Sequence, residues 1–163
     1  MRKARLIQQG ATYHIVAKSN RGEFILHSNE MKEMFLRTLE DAKKKFKFKL
    51  KHFCIMSNHI HLLLEPAAGT NLSKLMQWVL SVFAIRFNKL FGLIGHVWYD
   101  RFKSNIIRSF HHMVRTFEYI SNNPVKAGLC EKSSDYAYSG LRELKRGRFR
   151  LLDPPESWIT LIF

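Results

Sequence analysis

Twenty residues in the first half of this chain leave little choice about how they fold. Phe46-Lys47-Phe48-Lys49-Leu50-Lys51 alternates strictly between apolar and basic residues, which predicts a strand with one lysine-covered face running on to Met56. Ser57-Asn58 turns the chain, and His59 to Glu65 returns as an apolar run, His-Ile-His-Leu-Leu-Leu-Glu. The unit is a β-hairpin. Successive side chains on a strand point to opposite faces, so His59 and His61 share one face, about 7 Å apart. Ile60, Leu62 and Leu64 point the other way, into a core. Paired imidazoles on one strand face suit a divalent metal. They equally suit two histidines hydrogen-bonded to neighbours, and two ligands alone do not complete a metal site.

The remaining elements arrange themselves around this hairpin. Residues 11–18 read as a first strand and Asn20-Arg21-Gly22 as a turn. Met31, Met34, Phe35, Thr38, Leu39, Ala42 and Phe46 recur at helical spacing over 29–46. Pro66 to Gly69 is a loop. Thr70 or Asn71 caps a long helix over 71–90, with Leu72, Leu75, Met76, Val79, Leu80, Phe83 and Phe87 as its buried stripe. Val97-Trp98-Tyr99 and Ser104–Ile107 are candidate strands around Asp100-Arg101. A helix follows over 110–122, and Asn123-Pro124 is expected to end it. A short helix near 135–145, a basic run Lys145-Arg146-Gly147-Arg148 and Pro154-Pro155 complete the tail. Hairpin-linked strands with interspersed helices predict an α+β fold, an antiparallel sheet with helices packed on it. No linker or repeat divides the chain, so residues 1–163 read as a single domain, with a core over about 11–130 and a helical, basic tail over 131–163.

Composition narrows the partner. The 163 residues carry 27 Lys+Arg against 13 Asp+Glu, a net charge of +14. Such an excess points to a polyanion, either nucleic acid or an anionic membrane. The hydrophobic share of 46% and 13 Phe exclude a disordered chain. No window reaches the roughly 18 uninterrupted apolar residues of a membrane span. Met1-Arg2-Lys3-Ala4-Arg5 is basic without a following signal-peptide core, which predicts a cytosolic protein. Cys54 and Cys130 are far apart, fit no zinc-finger spacing, and read as two reduced, buried thiols.

A second group of residues sits on the helix over 110–122. With Met113, Phe117 and Ile120 as its core face, Tyr119 and Asn123 fall off the stripe and within about 40° of each other. At i, i+4 they are neighbours if the last turn holds. His112 and Arg115 project near the same face. A tyrosine beside an amide, with an arginine behind it, forms a candidate phosphoryl-transfer half-site in which Asn123 ligates a metal and Arg115 binds phosphate. A half-buried aromatic beside a capping Asn would produce the same pattern. Lysines and arginines spread along the chain favour nucleic-acid contact. Trp98 and Tyr99 beside Arg101 and Lys103 combine base-stacking with phosphate-binding residues, although core aromatics fit the same spacing.

These segments together resemble the single-tyrosine HUH transposases, also called IS200-like transposases. Residues 56–64 resemble that family's His-hydrophobic-His motif. Gly95-His96-Val97-Trp98-Tyr99-Asp100-Arg101-Phe102-Lys103-Ser104 is similar to its Gly-x-x-Trp-x-x-Arg-Phe-Lys-Ser segment. Tyr119-Ile120-Ser121-Asn122-Asn123-Pro124-Val125-Lys126-Ala127-Gly128 is similar to its Tyr-Ile-x-x-Asn-Pro-Val-Arg-Ala-Gly segment, and Asn20-Arg21-Gly22 is a fourth match. The four occur in family order across about residues 11–130. The branch resembled most is that of the REP-associated tyrosine transposases.

The resemblance implies a ferredoxin-like HUH fold and an enzyme that cleaves and rejoins single-stranded DNA. It places the nucleophile at Tyr119 and the ligands of Mg²⁺ or Mn²⁺ at His59, His61 and Asn123. It implies a bacterial, nucleoid-associated protein acting on single-stranded or hairpin DNA, as a homodimer or a monomer. Arg115, Trp98, Arg101, Lys103, Lys145 and Arg146 are the expected DNA contacts. Three departures stand out: Ser121 where His is frequent, Asp100 where Gly is frequent, and a loosely matching 135–139 segment. The alternative is a hairpin-DNA-binding protein without catalysis. An RNA-directed nuclease is a further rival, whereas a larger relaxase or replication initiator would need domains for which 163 residues leave no room.

Overall fold

A computed structural model describes residues 7–162; the basic segment 1–5 lies outside the described residues. The elements run β1 (Tyr13–Lys18), α1 (Asn29–Lys45), β2 (Phe48–Ile55), β3 (His59–Pro66), α2 (Leu72–Phe91), β4 (Lys103–Ile106), α3 (Phe110–Lys126), α4 (Gly140–Arg146) and α5 (Ser157–Ile162). The four strands form one antiparallel sheet in the order β2-β3-β1-β4. With helices between β1 and β2 and between β3 and β4, this is the expected ferredoxin-like α+β arrangement.

Alternation on the strands builds two different faces. Tyr13, Ile15 and Ala17 of β1 and Ile60, Leu62 and Leu64 of β3 join the larger core, with Met31, Phe35 and Leu39 of α1 and Leu75, Met76, Val79 and Phe83 of α2. Ser28 caps α1 by accepting from the Met31 N–H at 3.2 Å, and Asn71 caps α2 by accepting from Lys74 at 3.0 Å. Gly92, at φ 61°, ends α2 in the left-handed region. The opposite face carries His14, His52, Cys54, His61 and Leu63. There Cys54, Met56 and Leu63 pack with Phe117 and Ile120 of α3 and with Tyr136, Leu141 and Ile159 from the tail.

Several expectations need correction. The alternation of β2 breaks at Lys51, where a bulge shifts the register between Leu50 and His52. Phe48 and Leu50 therefore share their face with Phe53 and Ile55, and His52 and Cys54 move to the other. Residues 97–99 form no strand, only a bridge from Ser19 to Trp98. Helix α3 does not stop at Asn123. It runs through Pro124 to Lys126. Proline forfeits only its own N–H bond, and the Ala127 and Leu129 N–H groups still reach the carbonyls of Asn123 (3.0 Å) and Pro124 (2.9 Å). The ring is buried, and this burial offsets the lost bond. The tail helix is shorter than expected, Gly140–Arg146, and a further short helix, α5, follows Pro154-Pro155.

The tail seals an edge. The Asp153 N–H donates to the Leu50 carbonyl at 3.0 Å, its carboxylate accepts from the Leu50 N–H at 2.7 Å, and Lys43 pairs with the same carboxylate. Arg150 bridges Glu33 (2.6 Å) and Glu40 (2.5 Å) of α1, and Leu151 and Leu152 enter the α1–α2 core. The exposed edge of β2 is thus covered by the chain itself. Cys54 and Cys130 are free thiols, as expected, but only Cys54 is buried; Cys130, just past the end of α3, is partly exposed. Among the described residues no helix is long and apolar enough to cross a membrane.

Candidate active site

The second face becomes a site because α3 lies across it with a narrow buried stripe. Thr116, Phe117, Ile120, Ser121 and Pro124 face the sheet. Tyr119 and Asn123 fall beside that stripe on consecutive turns, as their spacing requires. Two polar ties fix the helix. The Ser121 hydroxyl lies 2.9 Å from His52 Nε2, and the His52 ring stacks on Phe117 at 4.0 Å between centroids. Gly140 is required by this arrangement, since a Cβ there would meet His52 Nδ1 at 2.7 Å. Ser121, which departs from the resembled pattern, is thus a buried anchor between helix and sheet.

The Tyr119 ring is 46% exposed. It stands edge-on to His61 at 5.6 Å and to His14 at 6.0 Å. His59 and His61 are 5.0 Å apart between ring centroids. Asn123 donates from Nδ2 to the Tyr119 carbonyl at 2.8 Å. Its side chain also lies close enough to the His59 and His61 rings to raise the pKa of both. Burial outweighs that contribution: His61, 2% exposed, is held down to about 3, and His59 is lowered by its burial and by Lys18. Both are therefore neutral near pH 7, the form in which imidazole ligates a metal.

His61 Nε2 is buried without a hydrogen-bond partner, while its Nδ1 is taken by His14. Among the described residues no group of three or more His, Cys, Asp or Glu side chains forms a metal cage. A set of two imidazoles and one amide oxygen is a different and chemically sufficient donor set for a hard-to-borderline divalent ion that keeps waters or substrate oxygens in its other positions. The buried, unpartnered Nε2 of His61 is compatible with such a donor set.

The profile of the family described as transposase IS200-like matches residues 7–123. The chain belongs to the IS200-like transposase family. A Haemophilus influenzae protein described as a REP-associated tyrosine transposase is 28% identical over 142 residues, covering 80% of this chain and 75% of that protein. Among solved structures, a REP-associated tyrosine transposase bound to a REP hairpin superposes with a TM-score of 0.75 at 21% identity, over 96% of this chain and 92% of that one. A Deinococcus radiodurans structure described as a transposase superposes at 0.53 and 20% identity, over 75% of this chain and 97% of that one. At these identities the two structures speak for the fold.

The structure of this family member brings together four of the residues singled out in sequence: His59, His61, Tyr119 and Asn123. Arg115 is exposed one turn before Tyr119. Arg101 and Lys103 line an open cleft with Lys18 and Tyr99 at the end of β1. Trp98 does not join them. Its ring packs on Phe35 and Phe83 and its Nε1 donates to the Leu80 carbonyl at 2.9 Å, so it belongs to the α1–α2 core. The exposed aromatic beside Arg101 is Tyr99, 72% accessible. Lys145 and Arg146 are exposed at the end of α4, which packs on β2, whereas the rings beside Tyr119 come from β1 and β3. Three residues near the site went unnoticed in sequence. Lys126 places its Nζ 5.3 Å from the Tyr119 ring centroid, Lys18 pairs across the sheet with His59, and His14 bonds His61. Only the in-phase position of His14 on the β1 alternation marked it.

Proposed function

We propose that this family member is a metal-dependent endonuclease and strand transferase for single-stranded DNA, working through a tyrosine-linked 5′-phosphate at hairpin or palindromic repeats. The observation that carries the reading is the convergence of Tyr119 and Asn123, from one helix, on the His59–His61 pair. His59, His61 and Asn123 are the residues that would hold Mg²⁺ or Mn²⁺. When bound, the ion would act as a Lewis acid on a non-bridging oxygen of the scissile phosphate.

The protein's own groups account for the rest. Tyr119 Oη attacks phosphorus, a Tyr–O–P bond forms, and the bond from phosphorus to the 3′ oxygen breaks. The phenolic proton passes to solvent, and the departing oxygen takes up a proton as a 3′ hydroxyl. Because the ester is conserved, a second 3′ hydroxyl can attack the phosphotyrosine, release Tyr119 and join new ends without ATP. Lys126, beside the tyrosine ring, supplies positive charge where the phenolate and phosphate develop negative charge. Lys18, Arg101, Lys103 and Arg115 offer phosphate contacts flanking the site. The hairpin as substrate is supported by the REP hairpin in the superposed relative.

A labelled single-stranded hairpin incubated with the protein and Mn²⁺, with and without EDTA, tests the reading. A covalent adduct should appear on denaturing gels with Mn²⁺, vanish with EDTA, and be absent from Tyr119→Phe, which should still bind the hairpin. Binding without any adduct would favour the non-catalytic alternative. Equal cleavage of an RNA version would overturn the DNA assignment.

A further inference from the structure

We infer that His14 is a positioning residue that reserves His61 Nε2 for the metal, an inference that rests on the metal role proposed above for His59, His61 and Asn123. His14 Nε2 lies 2.9 Å from His61 Nδ1. The two ring planes are 22° apart with centroids separated by 5.2 Å. That separation is about the sum of the N···N contact and the two ring radii, so the rings meet nearly edge to edge and in plane. This is the geometry in which one ring's N–H points along the other's lone pair.

Two neutral rings share one proton in this contact, and its position is decided by the far side of His61. If His14 donated, His61 would carry its proton on Nε2. That N–H would then be buried with no acceptor within hydrogen-bond distance. A buried N–H without a partner is the rarer and costlier case, whereas an unused lone pair is better tolerated. The arrangement in which His61 Nδ1–H donates to His14 leaves Nε2 bare. A bare Nε2 is also the only form that can ligate a metal. His14 itself cannot be a ligand through the same nitrogen, because that nitrogen faces His61 and not the space beside Asn123. No change of charge is involved; the role is orientation and choice of tautomer.

The position on the sheet makes this contact robust. β1 lies between β3 and β4, so His14 is a central-strand residue, in register with Leu63 on one side and Asn105 on the other. Ladders on both sides therefore fix the backbone from which its ring projects.

The test uses the full chain. In the metal-free protein, long-range proton–nitrogen NMR spectra report which nitrogen of His61 is protonated. Nδ1 is expected; a proton on Nε2 would overturn the proposal. Mn²⁺ affinity, read by the loss of free-ion EPR signal, should weaken by about 10- to 100-fold in His14→Leu. His14→Gln, whose side-chain oxygen reaches the place of the ring nitrogen and accepts the same bond, should recover most of that loss. Wild-type affinity in His14→Leu would sink the idea, as would equal loss in both variants, which is the mark of packing alone. Should the Leu variant fail to fold, the tautomer and the Gln variant still decide. His59→Ala is the control for the metal role: Mn²⁺ binding unchanged in that variant would remove the reading on which the inference rests, while the His61 tautomer, measured without metal, would stand on its own.

Discussion

The two faces of one sheet are built from the same four strands and behave as different materials. On the α1–α2 side, Phe35, Phe83, Ile15 and Leu62 are fully buried within one large apolar cluster. On the α3 side the strands contribute His14, His52 and His61, and the covering helix adds Ser121 and Asn123. Burying polar groups has a cost unless each finds a partner. Here each contact is used to fix an orientation: Ser121 to His52, His14 to His61, Asn123 to the tyrosine's own backbone. Alternation lets one strand satisfy both demands, with Ile60 and Leu62 on the dry side flanking His61 on the other. A chemically exacting face is held rigid by a conventional core behind it.

The largest effects should divide cleanly between the faces. Tyr119→Phe is expected to lower adduct formation by about 10³-fold or more, to background. Its urea midpoint should not change, since the hydroxyl belongs to a half-exposed ring. Phe35→Ala should do the reverse, costing about 3–5 kcal/mol of stability through the cavity it leaves. Whatever Phe35→Ala protein remains folded should form adducts at the normal rate. A strong stability loss in the tyrosine variant would break the division.

Gly140→Ala sharpens the comparison at one point. The new methyl would sit 2.7 Å from His52 Nδ1 and 3.2 Å from Leu152. His52 has nowhere to go, clamped by Phe117 and Ser121. A loss of about 1–3 kcal/mol is expected, together with slower adduct formation, because the clash is passed to α3 and thus to Tyr119. Loss of stability with an unchanged rate would show that the tie between His52 and Ser121 does not position the tyrosine.

Much of this is legible in the sequence because it rests on periodicity. The hairpin follows from alternation and a two-residue polar turn. The Tyr119–Asn123 pairing follows from 3.6 residues per turn. What escaped depends on single residues acting against a pattern. The bulge at Lys51 shifts the register by one, yet Lys-His-Phe-Cys looks like a plain continuation. Pro124 carries a helix-ending signal that burial of its ring overrides. Trp98 sits among basic residues in sequence, but its ring is drawn into the α1–α2 core. His14 occupies a position where any polar residue would satisfy alternation, and only the folded sheet brings it to His61.

Acid should act mainly on the polar face. His52 is wholly buried, and burial together with nearby His14 holds its pKa down to about 3; His61 behaves alike. In the unfolded chain both return to the ordinary value near 6.5. Between those limits the unfolded state binds more protons, so their contribution to stability is complete above pH 6.5 and falls as the pH drops toward 3. The slope reaches about 1.4 kcal/mol per pH unit for each such histidine. Urea midpoints taken from pH 7.5 to pH 4.5 should show the decline. His52→Gln, which can still bond Ser121, should flatten it by one proton's share; an undiminished slope would mean that His52 is protonated in the folded protein.

The smallest effect belongs to the rim. Arg101 and Lys103 are exposed in the cleft beside Lys18, on the histidine side of β1 and β4. Charges in contact with solvent neutralise phosphates without reading bases, so their loss should weaken hairpin binding evenly across sequences. For a single strand, removing both should reduce the magnitude of the salt slope of log K by about 1.4. Lys145 and Arg146, whose helix packs on β2, provide the comparison. If the strand runs from Tyr119 toward the Lys18 cleft, Arg101→Ala with Lys103→Ala changes the slope and Lys145→Ala with Arg146→Ala does not. The opposite result would route the DNA over the tail, and the polar face would then extend around the β2 edge that residues 150–156 now seal.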